Sequence, residues 1–114
     1  MPKTLDETRV PPASVARAAR RGLDLRAKQP RSNRAGTAVG LTRARQLANG
    51  EPVAMRTVLR MVSYFARHEV DKQGEGWGRD SKGYQAWLLW GGDAGRAWAN
   101  RLKREYESHR EEER

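Results

Sequence analysis

Apolar positions along this chain recur at helical spacing in five blocks, each bounded by proline, glycine or polar residues, and no segment alternates convincingly as a strand. The most regular block lies within residues 41–67. There Met55, Val58, Leu59, Val62, Phe65 and Ala66 fall on one side of a helix. Arg56, Arg60, Ser63 and Arg67, spaced by four, three and four, form a narrow stripe roughly opposite. Before it, Val39, Leu41, Ala44, Leu47 and Ala48 mark a helix over residues 39–48, which Asn49-Gly50 stops because glycine takes the left-handed conformation without penalty. Pro52 pre-sets the start of the next helix, which ends near His68.

The flanks read in the same way. Residues 1–10 are polar and expected to fray. Pro11-Pro12 can open a helix, with Ser14 as a second cap, and Val15, Ala18, Ala19 and Gly22 carry it to about Lys28, where Gln29-Pro30 ends it. Residues 31–36 form a basic, flexible linker or arm. Residues 71–83 are a glycine-rich loop, residues 84–90 a short apolar helix, and Gly91-Gly92 a break. Asp93 can cap a last helix over residues 94–107, with Ala97, Trp98 and Leu102 inward, and residues 108–114 are a charged, solvated tail. The expectation is one all-α domain over residues 11–107, with about five short helices, a helix-turn-helix-like hairpin and flexible termini.

Charge turns that fold towards a binding protein. Of the formal net charge of +9, residues 1–50 supply nearly all, holding 11 Lys and Arg against three Asp and Glu. A basic surface with few acids suits nucleic acid or another polyanion. Absence of cysteine excludes disulfides, thiol nucleophiles and thiolate zinc sites. No apolar run reaches the length of a membrane span, and the N-terminus lacks a secretory apolar core, so a cytosolic location is expected.

Three constellations invite chemistry. In a helix-turn-helix the second helix enters the major groove, so Arg56 and Arg60 would read bases or phosphates while Arg43 and Arg45 touch backbone. The usual turn glycine would fall near Pro52, with Gly50 two positions early; the bland alternative is an αα-hairpin with solvated arginines. Trp87, Trp90 and Trp98 read as core, with base stacking the alternative. Trp77, between Gly76 and Gly78, reads as exposed and open to a partner. His68, Glu69, Asp71 and Glu75 could in principle hold a cation, but an ordinary helix end accounts for them. The glycines around Asp93 lack the lysine and strand of a nucleotide loop. No cofactor, metal or catalytic set is expected.

Four segments also resemble a small uncharacterised domain encoded by tailed bacteriophages, found alone or fused to head-associated proteins: residues 36–40 (GTAVG), 43–45 (RAR), 65–72 (FARHEVDK) and 86–95 (AWLLWGGDAG). The similarity spans about residues 11–98. It departs between Gly76 and Ala86, where the family has a longer loop with a proline after the tyrosine. The resemblance implies a viral or prophage origin and a role in infection or virion assembly, in the host cytoplasm or packaged in the virion. The family has no established activity, so no catalytic residue carries over.

The function expected is a non-enzymatic nucleic-acid-binding protein, duplex DNA favoured, contacting phosphates through Arg17, Arg20, Arg21, Arg43, Arg45, Arg56, Arg60 and Arg67. The alternative is a protein–protein module of the virion or of a host-takeover complex, its basic face on an acidic surface and Trp77 as anchor.

Overall fold

Five α-helices carry the described residues. A computed structural model describes residues 4–112: strand β1 (Thr8–Arg9), helix α1 (Ala13–Ala27), α2 (Ala38–Ala48), strand β2 (Val53–Ala54), α3 (Met55–His68), α4 (Lys82–Leu89) and α5 (Gly92–Glu112). Single 3-10 turns occupy Arg31–Asn33 and Glu69–Gln73. The all-α expectation holds. The sequence marks two of the helix starts by capping residues: Thr37 accepts from the Gly40 amide (3.1 Å) and Ser81 from the Tyr84 amide (3.2 Å).

α1 is the hub, packing on α2, α4 and α5, while α3 lies chiefly on α5. At the α1–α4 crossing the backbones nearly touch: a Cβ at Gly22 would lie 2.7 Å from the Leu89 nitrogen. Only glycine permits that approach. At the α4–α5 corner Gly91 has φ of 111°, and its added Cβ would meet Val15 and Gly95 at 3.0 Å. Val15, Leu47, Met55, Met61, Phe65, Trp87, Trp98 and Ala99 form the core between these helices.

Several local expectations are corrected. The segment expected to fray up to Val10 is tied down: Thr8 pairs with Ala54 and Arg9 with Val53 in an antiparallel ladder. Residues 1–3 lie outside the described residues. Pro52 does not open α3; β2 intervenes and the helix starts at Met55. The core face of α3 is turned by about one residue step, ~100°, so that Met61 and Tyr64 are buried and Ala66 is exposed. The larger side chains take the interior because each removes more apolar area from water. The hairpin of α2 and α3 has a six-residue connection, and its two helices spend their apolar faces mainly on different partners. The 31–36 linker is pinned by Gln85, which is fully buried. Its Oε1 accepts from the Ala35 amide (3.0 Å), and its Nε2 donates to the Asn33 (2.7 Å) and Asp80 (2.9 Å) carbonyls. Finally, α5 runs on to Glu112, through most of the expected tail.

Candidate nucleic-acid interface

The arginine stripe of α3 exists as the spacing predicts. Arg56, Arg60, Ser63 and Arg67 are exposed, and with Leu59 and Trp90 they line one open groove. Arg56 is partly neutralised by the Asp6 carboxylate from the N-terminal segment. Arg60 and Arg67 have no ion pair among the described residues. Arg43, on α2, adds a half-buried guanidinium. Its Nη1 donates to Gln46 Oε1 (2.8 Å), whereas its Nε is buried without a hydrogen-bond partner among the described residues. Burial, and then the like charge of Arg60, lower its pKa from the usual arginine value. Cations crowded in this way are electrostatically unfavourable alone and are relieved by an anion.

The eight sequence-predicted arginines do not share one groove. Arg17 and Arg21 line a separate cavity of about 440 Å³ with Trp77, Tyr84 and Trp87. Arg21 donates to the Tyr84 hydroxyl (3.2 Å). Arg20 donates to Asn49 Oδ1 (3.3 Å) beyond the end of α2. Arg45 is exposed on α2.

The tryptophans divide differently from the expectation. Trp87 and Trp98 are core, at 2% and 4% exposure. Trp77 is not a projecting anchor: it is half-buried, edge-on to Tyr84 (5.2 Å between ring centroids) and to Trp87 (5.5 Å). Trp90, expected in the core, is half-buried: it packs against the core cluster and also lines the arginine groove. The steric reason is local. Trp90 follows α4 just before the Gly91 corner, and its ring packs on the core residue Tyr64, stacked at 4.8 Å and 13°.

His68 stacks on Tyr64 as well, at 4.5 Å and 27°. Two nearly parallel rings at such distances occupy the two faces of the phenol, giving a stack of Trp90, Tyr64 and His68. The His68 Nδ1 lies 2.9 Å from Asp71 Oδ2. The Tyr64 hydroxyl is buried without a partner among the described residues. Burial and then the Asp71 carboxylate push its pKa well above the usual phenol value.

A second network braces the start of α5. Asp93 Oδ1 accepts from Lys72 Nζ (3.1 Å) and from Trp87 Nε1 (2.9 Å). Asp93 therefore ties α5 to α4 and does not cap α5, which begins one residue earlier. Burial alone would raise its pKa. The hydrogen bonds from Lys72 and Trp87, with the Lys72 and Arg96 charges, outweigh it and hold the carboxyl below its ordinary value. Glu69 pairs with Arg96 (2.6 Å), so the acids near His68 face basic side chains. Among the described residues no three His, Asp or Glu side chains converge as metal ligands, and no helix is long and apolar enough to cross a membrane.

The part of this surface that sequence reasoning missed is the three-ring stack and the polar pair beside it. Its one sequence signal is the spacing of Tyr64, His68 and Asp71 by four and three, which aligns them on one side of a helix.

The chain matches no protein-family model, no curated protein and no solved structure.

Proposed function

We propose that this protein binds the phosphate backbone of nucleic acid, duplex DNA in the first instance, through the α3 groove, and acts by binding alone. The observation that carries the reading is the groove on α3 that Arg56, Arg60 and Arg67 line together, where among the described residues Arg60 and Arg67 have no ion pair and Asp6 on Arg56 is the one acid paired with the stripe. Arginine suits the task because its planar fork bridges phosphate oxygens and stays charged. A phosphate seated there would give Arg60 and Arg67 the counter-charge that they lack among the described residues. The phage-domain resemblance supports a setting in an infected cell, where such a protein meets DNA in the cytoplasm or during packaging.

The competing reading, an acidic protein partner anchored on Trp77, is weakened by the packing of that ring against Tyr84 and Trp87.

Salt titration tests the proposal. If Arg43, Arg56, Arg60 and Arg67 each displace about one counterion, log affinity falls against log salt with a slope near −3.6. Replacing Arg60 and Arg67 by alanine should flatten the slope by about 2. Affinity unchanged from low to high salt would refute phosphate binding.

A further inference from the structure

Trp90 belongs to two walls. On one side it closes the arginine groove of α3; on the other it lines a cavity of about 490 Å³, a volume within the range of small-molecule sites. Three stretches distant in sequence build that cavity: residues 34–40, residues 64–71 and residues 82–90. Its character differs from that of the groove. The half-buried rings of Trp90 and His68, with the buried Tyr64 between them, give it aromatic surface, the His68–Asp71 pair gives it a polar edge, and Lys82 stands at it exposed and without an ion pair or hydrogen bond among the described residues. Arg34 adds a second cation, held by its own bond to the Gln29 carbonyl (2.9 Å).

Glycine keeps the space open. Gly40 is buried, yet a Cβ there would meet only Thr37 Oγ1 at 3.5 Å and Trp90 Nε1 at 3.9 Å. The cavity thus reaches the backbone of α2. Aromatic surface, a polar pair able to meet a base edge and cations placed for a phosphate are the features that receive a nucleotide lifted out of its stack. A blunt duplex, with every base paired, could engage the groove but would leave this cavity empty.

We infer that the cavity between Trp90, Tyr64, His68 and Gly40 takes one unpaired base of the nucleic acid that the α3 arginines hold. The inference rests on the backbone-binding reading and narrows its substrate class to DNA with an unpaired nucleotide, such as an overhang or junction. Arg60 and Arg67 hold the phosphates on one side of Trp90, and the base passes to the other side. Lys82 meets the phosphate that follows.

Fluorescence anisotropy on the full chain tests this with three labelled DNAs: a blunt duplex, the same duplex with one unpaired adenine at its end, and that overhang made abasic. The adenine form should bind about tenfold more tightly than the other two, the scale of one base stacked on an aromatic ring. Gly40→Leu, which fills the cavity, should abolish that advantage, whereas Arg60→Ala should weaken all three DNAs alike. Equal affinity for the three DNAs overturns the inference. If Gly40→Leu does not fold by circular dichroism, His68→Ala, which removes a partly exposed ring of the cavity wall, takes its place and should reduce the advantage severalfold; an advantage that it leaves intact overturns the inference. If no DNA binds in a salt-sensitive way, the backbone reading has failed, and deoxyadenosine monophosphate decides the cavity alone. A saturable change in tryptophan fluorescence, lost in the cavity variant, would sustain a nucleotide site; no change would overturn it.

Discussion

Gln85 is a polar side chain with no exposure, and all three of its hydrogen bonds go to backbone groups of the 31–36 segment and of Asp80. Gln85→Leu would keep the volume but take the partner from the Ala35 amide and the Asn33 carbonyl, while the Asp80 carbonyl keeps its bond from Asn33 Nδ2 (2.9 Å). At about 1–3 kcal/mol for each buried group left unsatisfied, with part regained from water, the variant should lose roughly 3 kcal/mol. Urea denaturation should show a lower midpoint at unchanged slope. Tyr64 is the opposite case. Its hydroxyl is buried and unpartnered among the described residues while its ring holds the Trp90–His68 stack together. Tyr64→Phe keeps the stack and removes the orphan, so stability should rise by about 1 kcal/mol. A fall on the same denaturation assay would mean that the hydroxyl has a partner worth more than its burial costs.

The ends of the elements are settled by partners remote in the chain. α3 has no side-chain cap; instead its Met55 amide donates to the Glu7 carbonyl (2.8 Å) and its Arg56 amide to the Leu5 carbonyl (3.0 Å). Deleting residues 1–9 should therefore cost about 1–2 kcal/mol, the scale of a lost helix cap, and speed hydrogen exchange first at Met55 and Arg56. That contact explains what was legible. All five helices were, because each has its own periodicity and its own proline or glycine boundary. The cap on α3, the Gln85 clasp and the turned core face of α3 were not, because each depends on a neighbour far away in sequence or on a contest between Met61 and Val62 that spacing alone leaves open. Asp93 adds a pH signature at the start of α5. Its folded pKa is depressed, so its stabilising contribution is complete above the unfolded value and is lost as pH falls through the folded one. Asp93→Asn should therefore lower stability at neutral pH, where that contribution is complete, and converge with the parent protein below about pH 4, which flattens the acid limb of a thermal-unfolding series.

Across the whole molecule the positive charge is distributed over separate surfaces. A net +9 draws polyanions from any direction, but only groups that meet phosphates release counterions. The α3 groove gathers Arg56, Arg60 and Arg67 beside Arg43, whereas Arg17 and Arg21 stand in the cavity of Trp77, Tyr84 and Trp87, with Arg21 on the Tyr84 hydroxyl. The stripe was legible because all its residues lie on one helix. The separation of Arg17 and Arg21 from it was not, since it depends on how α1 meets α4 and on a loop that folds Trp77 inward. Two pairs of substitutions with the same change of charge can therefore be set against each other. Arg60→Ala with Arg67→Ala should flatten the salt slope of duplex binding by about 2, while Arg17→Ala with Arg21→Ala should lower affinity modestly and leave the slope nearly unchanged. An equal loss of slope in both pairs would mean that the DNA wraps both surfaces, and the α3 groove would then be one part of a wider track.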